Sequence, residues 1–347
     1  MKVAVLLTLL SLKSHLSRSV LVVDISPLWD NDVVEVVNAT LFIDRALRED
    51  GIFLAVGHGI SEAQRASSFA SAEALFALDE ASKGGDSLLR NFRGFIPYAG
   101  ESGLAQTVFE PKEGFSYGFD WRGPDPPSVM HAANKFPKSL KEEDVSQLEL
   151  LRRLSAEVAE RISSAITALP ENAEALRGRV SEGGEEISLM RIFNYFPLSS
   201  AKTRASLANT AADVQVLGSA QHTDWGYLTV IMENADGLQY WKNGSWLDVG
   251  HNPDALVINC GDYLHLVSKK RYLSPVHRVL SPQSDHRLSF VYFAYPGATS
   301  TFPDDANKRE AVVGAEGGYN TLLNLGQTEG ESFADLIARK WRGVYKL

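Results

Sequence analysis

The chain has one cysteine in 347 residues, no surplus of positive charge, and no apolar run long enough to cross a bilayer. Each shortage removes a class of protein. One thiol, Cys260 in VINCGD, excludes an intramolecular disulfide framework, and its neighbours predict that it packs as a small hydrophobe. A net charge of −9 leaves no basic stripe for a phosphate backbone, so nucleic acid is not an expected partner. The apolar stretch VAVLLTLLSL near the N-terminus is about half a bilayer span. With the lysine before it, it suits the core of a signal peptide, so residues 1–19 read as a candidate signal or targeting segment, although no small-x-small cleavage site is evident. Location therefore stays open between the cytoplasm and secretory or organelle entry. Asn38-Ala-Thr and Asn243-Gly-Ser match the glycosylation triplet, the second in an expected hairpin turn between QYW and SWLDV.

What is present is enough apolar residue, 44%, to bury one large core, and a short string that carries chemistry. Residues 221–241 read QHTDWGYLTVIMENADGLQYW. A His-x-Asp pair alone says little: with 8 His and 43 acidic residues, roughly one such pair with Asp or Glu arises by chance. The context adds weight. His222 and Asp224 lie between two β-like segments, and residues two apart on a strand share a face, so both side chains can reach one ion. His277 follows 53 residues after Asp224 in SPVHRVL. Two imidazoles and a carboxylate bind Fe(II) on one side and leave other positions open. Arg287 and Ser289 then open the alternating run LSFVYFAYP and share a face, a planar fork beside a hydroxyl that suits a carboxylate.

The other histidines, His15, His131, His251, His265 and His286, have no partner pattern, and His58 in GHGI reads as a packed turn residue. Periodicity predicts helices over 33–49, 61–79 and about 140–169, with Leu148, Leu151, Val158, Ile162 and Ile166 as a core-facing stripe. From about residue 186 short strands alternate with turn residues, and SFADLIARKWRGVY predicts a closing helix. The expected fold is mostly β with flanking helices around a double-stranded β-helix, or jelly roll. Residues 20–185 form the expected N-terminal helical region, and 186–347 the jelly-roll core with its C-terminal helix. The Gly-, Pro- and aromatic-rich stretch 85–135 is expected to rim the pocket.

These strings together resemble the isopenicillin N synthase-like family of Fe(II)- and 2-oxoglutarate-dependent dioxygenases, from about residue 20 to the C-terminus. VLVVDISPL, IDRALREDGIFLAVGHGI, RGFIPYAGES and PKEGFSYGFD resemble the leading region; HTDWGYLTV, GLQYW, ALVINCGDYLHLVS, VHRV and RLSFVYFAYP resemble the catalytic core. The resemblance implies Fe(II) on His222, Asp224 and His277, and 2-oxoglutarate on Arg287 and Ser289, with Asn194 of MRIFNYFP nearby. Two departures stand out: Phe196 where many members place a co-substrate-contacting Tyr, and Gly57 in place of Asn before the His-Gly-Ile turn.

The reaction so implied consumes O2 and 2-oxoglutarate, releases succinate and CO2, and hydroxylates, desaturates or cyclises a small organic metabolite. Phe95, Tyr98, Phe115, Tyr117 and Tyr227 are weak candidates for substrate contact. Two alternatives remain at this point. One is an oxidase of the same family that uses Fe(II) and O2 without 2-oxoglutarate; the other is a catalytically silent metal-binding or sensor protein. Oligomeric state is not legible.

Overall fold

A computed structural model describes residues 20–30, 32–84, 91–101, 108–177, 184–210, 214–302 and 330–344. The expected signal segment, with His15, lies outside the described residues. Fourteen strands among them form three sheets. The leading half supplies β1 (Val22–Asp24), β2 (Ile52–Val56), β3 (Gly94–Ile96), β4 (Val108–Phe109) and β5 (Lys112–Gly118). There follow β6 (Leu189–Tyr195), β7 (Gln215–Val216), β8 (Ser219–His222), β9 (Leu228–Glu233) and β10 (Leu238–Lys242). The last four are β11 (Ser245–Asp248), β12 (Leu256–Cys260), β13 (His277–Val279) and β14 (Arg287–Ala294).

An eight-stranded sheet runs in the order β1-β2-β12-β9-β14-β6-β5-β3, and a four-stranded sheet in the order β11-β10-β13-β8. The pairing is antiparallel throughout both, except β1 with β2. This is the double-sheet arrangement expected, with strands of the leading half built into the larger sheet.

The faces of that sheet follow from the two-residue period. Met190, Ile192, Leu288, Phe290, Val230 and Met232 fall on one side and are buried. Helix Glu62–Ala77 and the long helix Glu142–Thr167 cover that side: Phe69 meets Phe290 at 5.4 Å between ring centroids, and the Tyr117 hydroxyl donates to Leu148 O at 2.8 Å. Arg191, Phe193, Tyr195, Arg287, Ser289 and Val291 fall on the other side, toward the smaller sheet.

The helices begin where their chemistry dictates. Asp32 accepts from the backbone N–H groups of Val34 and Glu35 at the head of helix Val33–Glu49, and Ser61 with Gln64 forms a reciprocal capping box. The buried stripe Leu148, Leu151, Val158, Ile162 and Ile166 faces the core as its spacing predicts. The closing helix runs Phe333–Val344. Asn243 and Gly244, both at positive φ, make the expected two-residue turn of the β10–β11 hairpin. Gly57 also has positive φ, 69°. A Cβ there would lie 2.4 Å from Asp24 Oδ1, so both the backbone conformation and the space before His58 require glycine in this chain. Cys260 is fully buried in the core. No helix among the described residues is long and apolar enough to cross a membrane.

Candidate active site

Between the two sheets lies a cavity of about 140 Å³ whose wall includes His222, Asp224, His277, Arg287 and Ser289. Two backbone facts bring the histidines together. His222 ends β8, His277 begins β13, and the two are directly paired across the antiparallel ladder. Their ring centroids are 4.3 Å apart. Asp224 lies beyond the end of β8, not on the strand as expected; its backbone carbonyl accepts from Asp262 N at 2.8 Å, which holds the turn. The carboxylate still arrives: Asp224 Oδ1 is 3.7 Å from His222 Nε2 and 3.6 Å from His277 Nε2. One ligand atom from each of the three lies within 4.8 Å of the others, the only such group of three among the described residues.

The remaining atoms of the triad are tied down. His222 Nδ1 donates to Ala220 O at 2.7 Å and His277 Nδ1 to Pro275 O at 3.0 Å, a pairing with carbonyls that assigns the proton to Nδ1 and leaves both Nε2 lone pairs facing the shared point. Asn259 Nδ2 donates to Asp224 Oδ2 at 2.7 Å and leaves Oδ1 toward the histidines. Burial, reinforced by His277 and opposed by Asp224, pushes the His222 imidazole down to about 4, so it is neutral near pH 7. Outer partners of this kind orient metal ligands. Gly226 and Gly261 pack so closely behind the site that a Cβ on Gly261 would lie 2.1 Å from Gly226 O.

Arg287 faces the same cavity. Nη2 pairs with Glu233, Nε donates to Ala235 O at 3.1 Å, and Nη1 is buried without a hydrogen-bond partner. Burial pushes the Glu233 carboxyl upward, and Arg287 opposes that shift. An unpartnered buried guanidinium N–H is costly unless something accepts from it, so the clamp fits an incoming carboxylate. Beside it, Ser289 Oγ donates to Tyr195 Oη at 3.4 Å.

Several expected residues stand elsewhere. Asn194 points to the helical side, its amide donating to Glu113 Oε1 at 2.9 Å and its carbonyl facing His286 Nδ1 at 2.9 Å. Phe196 lies past the end of β6, edge-on to Tyr98 at 5.0 Å and to His286 at 4.6 Å, and does not line the cavity. The side chain of that stretch on the cavity wall is Tyr195, because alternation puts Arg191, Phe193 and Tyr195 on one face and Asn194 on the other. The tyrosine of this stretch on the cavity wall is thus one residue earlier than Phe196.

None of Phe95, Tyr98, Phe115, Tyr117 and Tyr227 lines the cavity, which corrects the expectation of substrate contact. Phe115 and Tyr117 alternate against Lys112 on β5 and pack on Phe136, while Phe95 lies under Lys83. From 85–135 the wall takes Glu101, Val108, Glu110 and Lys112 instead. His58, His131, His251, His265 and His286 all lie off the cavity wall.

Comparison with known proteins agrees with this architecture. Residues 188–296 match the model of the 2OG-Fe(II) oxygenase superfamily, and residues 20–139 match that described as "non-haem dioxygenase in morphine synthesis N-terminal". A homoarginine-6-hydroxylase of Glycine max is 30% identical over 319 residues, covering 84% of this chain and 90% of the relative. The chain belongs to the 2-oxoglutarate-dependent dioxygenases. A 2-oxoglutarate-dependent dioxygenase of Monascus ruber, citB, is 28% identical over 292 residues, 78% of this chain and 83% of its own. Among solved structures, a full-length Neurospora crassa protein in complex with alpha-KG has the same fold, with a TM-score of 0.67 and 20% identity over 92% of this chain and 95% of that one. The protein is an oxidoreductase of this family and uses Fe(II), 2-oxoglutarate and O2.

Proposed function

We propose that His222, Asp224 and His277 hold the Fe(II), and that Arg287, Ser289 and Tyr195 hold the far carboxylate of 2-oxoglutarate, for the oxidation of a small organic metabolite. The observation that carries this reading is the common aim of the two groups: three ligand atoms within 4.8 Å of one another, and a buried, unpartnered Arg287 Nη1, on the walls of one cavity. Iron held by two imidazoles and a carboxylate supplies O2 activation coupled to conversion of 2-oxoglutarate to succinate and CO2.

The chain's own contribution is binding and exclusion. The carbonyls of Ala220 and Pro275 fix the imidazoles, and Asn259 fixes the carboxylate, so the ligand set is arranged before metal arrives. Glu233 and Ala235 O occupy two edges of the Arg287 guanidinium and orient the third. Ile231, Leu238, Val279 and Val291 line the same cavity with apolar surface that keeps water from the carbon chain of the co-substrate. Trp341 and Val344 of the closing helix complete the wall.

The test is product analysis. Purified chain given Fe(II), O2 and carboxyl-labelled 2-oxoglutarate should release labelled CO2 and succinate in equal amounts. Consumption of O2 with a substrate but without succinate would show an oxidase that works without 2-oxoglutarate.

A further inference from the structure

Of the three metal ligands, His222 has the weakest support from its own sheet. It ends β8, the edge strand of the smaller sheet, whose neighbour is β13, and the register of that pair shifts between His277 and Val279. Its side chain is 28% exposed, against 5% for His277 and 3% for Asp224. The segment leading into β8 is held instead by the leading half of the chain. Val108 and Phe109 of β4 pair in parallel with Gln215 and Val216 of β7, and Leu217 N donates to Phe109 O at 3.1 Å. Pro111 then interrupts that ladder: it has no N–H, and its O accepts from Phe196 N at 2.8 Å on the larger sheet.

Two side chains carry the connection onward. Ala220 N donates to Glu110 Oε1, Lys112 Nζ donates to Ser219 Oγ at 3.2 Å, and Lys112 Nζ lies 3.1 Å from Glu110 Oε2. Ala220 O in turn accepts from His222 Nδ1 at 2.7 Å. Ala220 thus meets the Glu110 carboxylate through its N–H and the metal ligand through its carbonyl. Glu110 is 110 residues from Ala220 in sequence, so the tie joins the two halves of the chain at the ligand set.

The pair belongs to a longer chain of charges. Lys112 Nζ also lies 3.7 Å from Glu101 Oε2, and Glu101 Oε1 pairs with Arg191. The signs alternate, so each charge has an opposite neighbour, and none of the four side chains is more than 7% exposed. Burial opposes the Lys112 charge, but Glu110 and Glu101 outweigh it and hold the ammonium above the ordinary lysine range. A buried ion pair seldom stabilises a fold more than apolar packing would, yet displacing either ion leaves the other uncompensated in the interior, so the pair resists movement. Lys112 opens β5, which pairs with β6 along its whole length, so the larger sheet is the anchor. We infer that Glu110 and Lys112 are positioning residues for His222: they fix Ala220 and Ser219 against the larger sheet and so hold the imidazole where it can share a metal ion with Asp224 and His277. The inference rests on the assignment of the iron ligands above.

The test is anaerobic Fe(II) titration of the full chain, read beside the melting temperature of the metal-free chain. Glu110→Ala removes the acceptor for Ala220 N and should weaken Fe(II) binding by about tenfold, the low end of what loss of an outer partner costs. Glu110→Gln keeps an oxygen that can take that N–H and should lose less. The double variant Glu110→Leu/Lys112→Met removes the pair together while Glu101 keeps Arg191, so it should fold and show a loss like that of Glu110→Ala. The control is Glu113→Gln: Glu113 also stands on β5 and pairs with buried Lys83 at 3.2 Å, but on the helical side of the sheet. It should lower the melting temperature and leave Fe(II) affinity unchanged. Wild-type Fe(II) affinity in both Glu110→Ala and the double variant would overturn the inference. So would a Glu110→Gln loss as large as that of Glu110→Ala, an equal loss in Glu113→Gln, or an effect confined to the KM for 2-oxoglutarate. His222→Ala keeps the two assignments apart. If it binds Fe(II) as wild type does, the ligand assignment fails first; if it loses the metal while the Glu110 variants keep it, only the role of Glu110 and Lys112 fails.

Discussion

Tyr195 and Arg287 stand directly opposite each other on β6 and β14, with the guanidinium carbon 4.9 Å from the tyrosine ring centroid. Both face the cavity, and Ser289 reaches the Tyr195 hydroxyl from the same side. This trio, with the tyrosine one residue earlier than the family resemblance suggests, forms the proposed co-substrate clamp.

Substitutions separate Tyr195 from Phe196. Tyr195→Phe removes one hydroxyl facing the clamp and should raise the KM for 2-oxoglutarate by up to about tenfold, since a hydrogen bond to a charged acceptor contributes about 1.5 to 3 kcal/mol. Arg287→Leu should cost more, and Arg287→Lys less than Leu, because an ammonium lacks the fork. Phe196→Tyr should leave that KM unchanged, since Phe196 packs between Tyr98 and His286 outside the cavity. Succinate formation against 2-oxoglutarate concentration measures all four.

Asn259 Nδ2 donates to Asp224 Oδ2 and so decides which carboxylate oxygen faces the histidines. Asn259→Leu keeps the branched shape, with bulkier methyl ends, and removes the donor. Loss of such an outer partner typically weakens metal binding by about 10- to 100-fold. Fe(II) titration under anaerobic conditions should show that loss with a far-ultraviolet spectrum like the wild type's. Unchanged affinity would make Asn259 a packing residue only.

Much of this was legible in the chain itself. The helices over 33–49 and 61–79 and the Leu148 stripe followed from periodicity, which is local. The triad was legible because two of its members are neighbours in sequence and the third sits in a short strand of its own. The phase of β6 was missed: Asn194, Tyr195 and Phe196 are three chemically plausible neighbours, and pairing with β14 shows which one faces the cavity. A usable signal was present, because the charged Arg191 between apolar Met190 and Ile192 marks the face that Tyr195 shares. The Arg191, Glu101, Lys112 and Glu110 group escaped because its members come from three separate segments and look like ordinary surface charges singly. The aromatic candidates misled for the same reason as Asn194: on β5 the rings alternate against Lys112 and fill the helical side.

Lys340 on the closing helix supplies a pH test. Burial, opposed by Asp262, pushes its ammonium down to about 7, and Nζ lies 4.6 Å from the Trp225 ring centroid. The folded value lies below the unfolded one, so below about pH 7 the charge is carried in both states and its burial cost is fully felt. The cost shrinks as pH rises toward the unfolded lysine value, because the unfolded chain then also loses the proton. Each pKa unit corresponds to about 1.4 kcal/mol, so the cost at neutral pH is several kcal/mol. Lys340→Met should raise the Tm at pH 6 to 7, with the gain fading toward pH 10. A gain independent of pH would point to packing, and a loss would show that the ammonium is held by a favourable interaction.

The proposed function stands on one iron held by His222, Asp224 and His277. The direct measurement is bound Fe(II) per chain after anaerobic reconstitution and removal of free metal. Wild type and His286→Ala, whose histidine lies off the cavity wall, should each retain close to one iron per chain, whereas His222→Ala, Asp224→Ala and His277→Ala should each lose most of it and all succinate formation. Full iron occupancy and activity in both His222→Ala and Asp224→Ala would contradict the account.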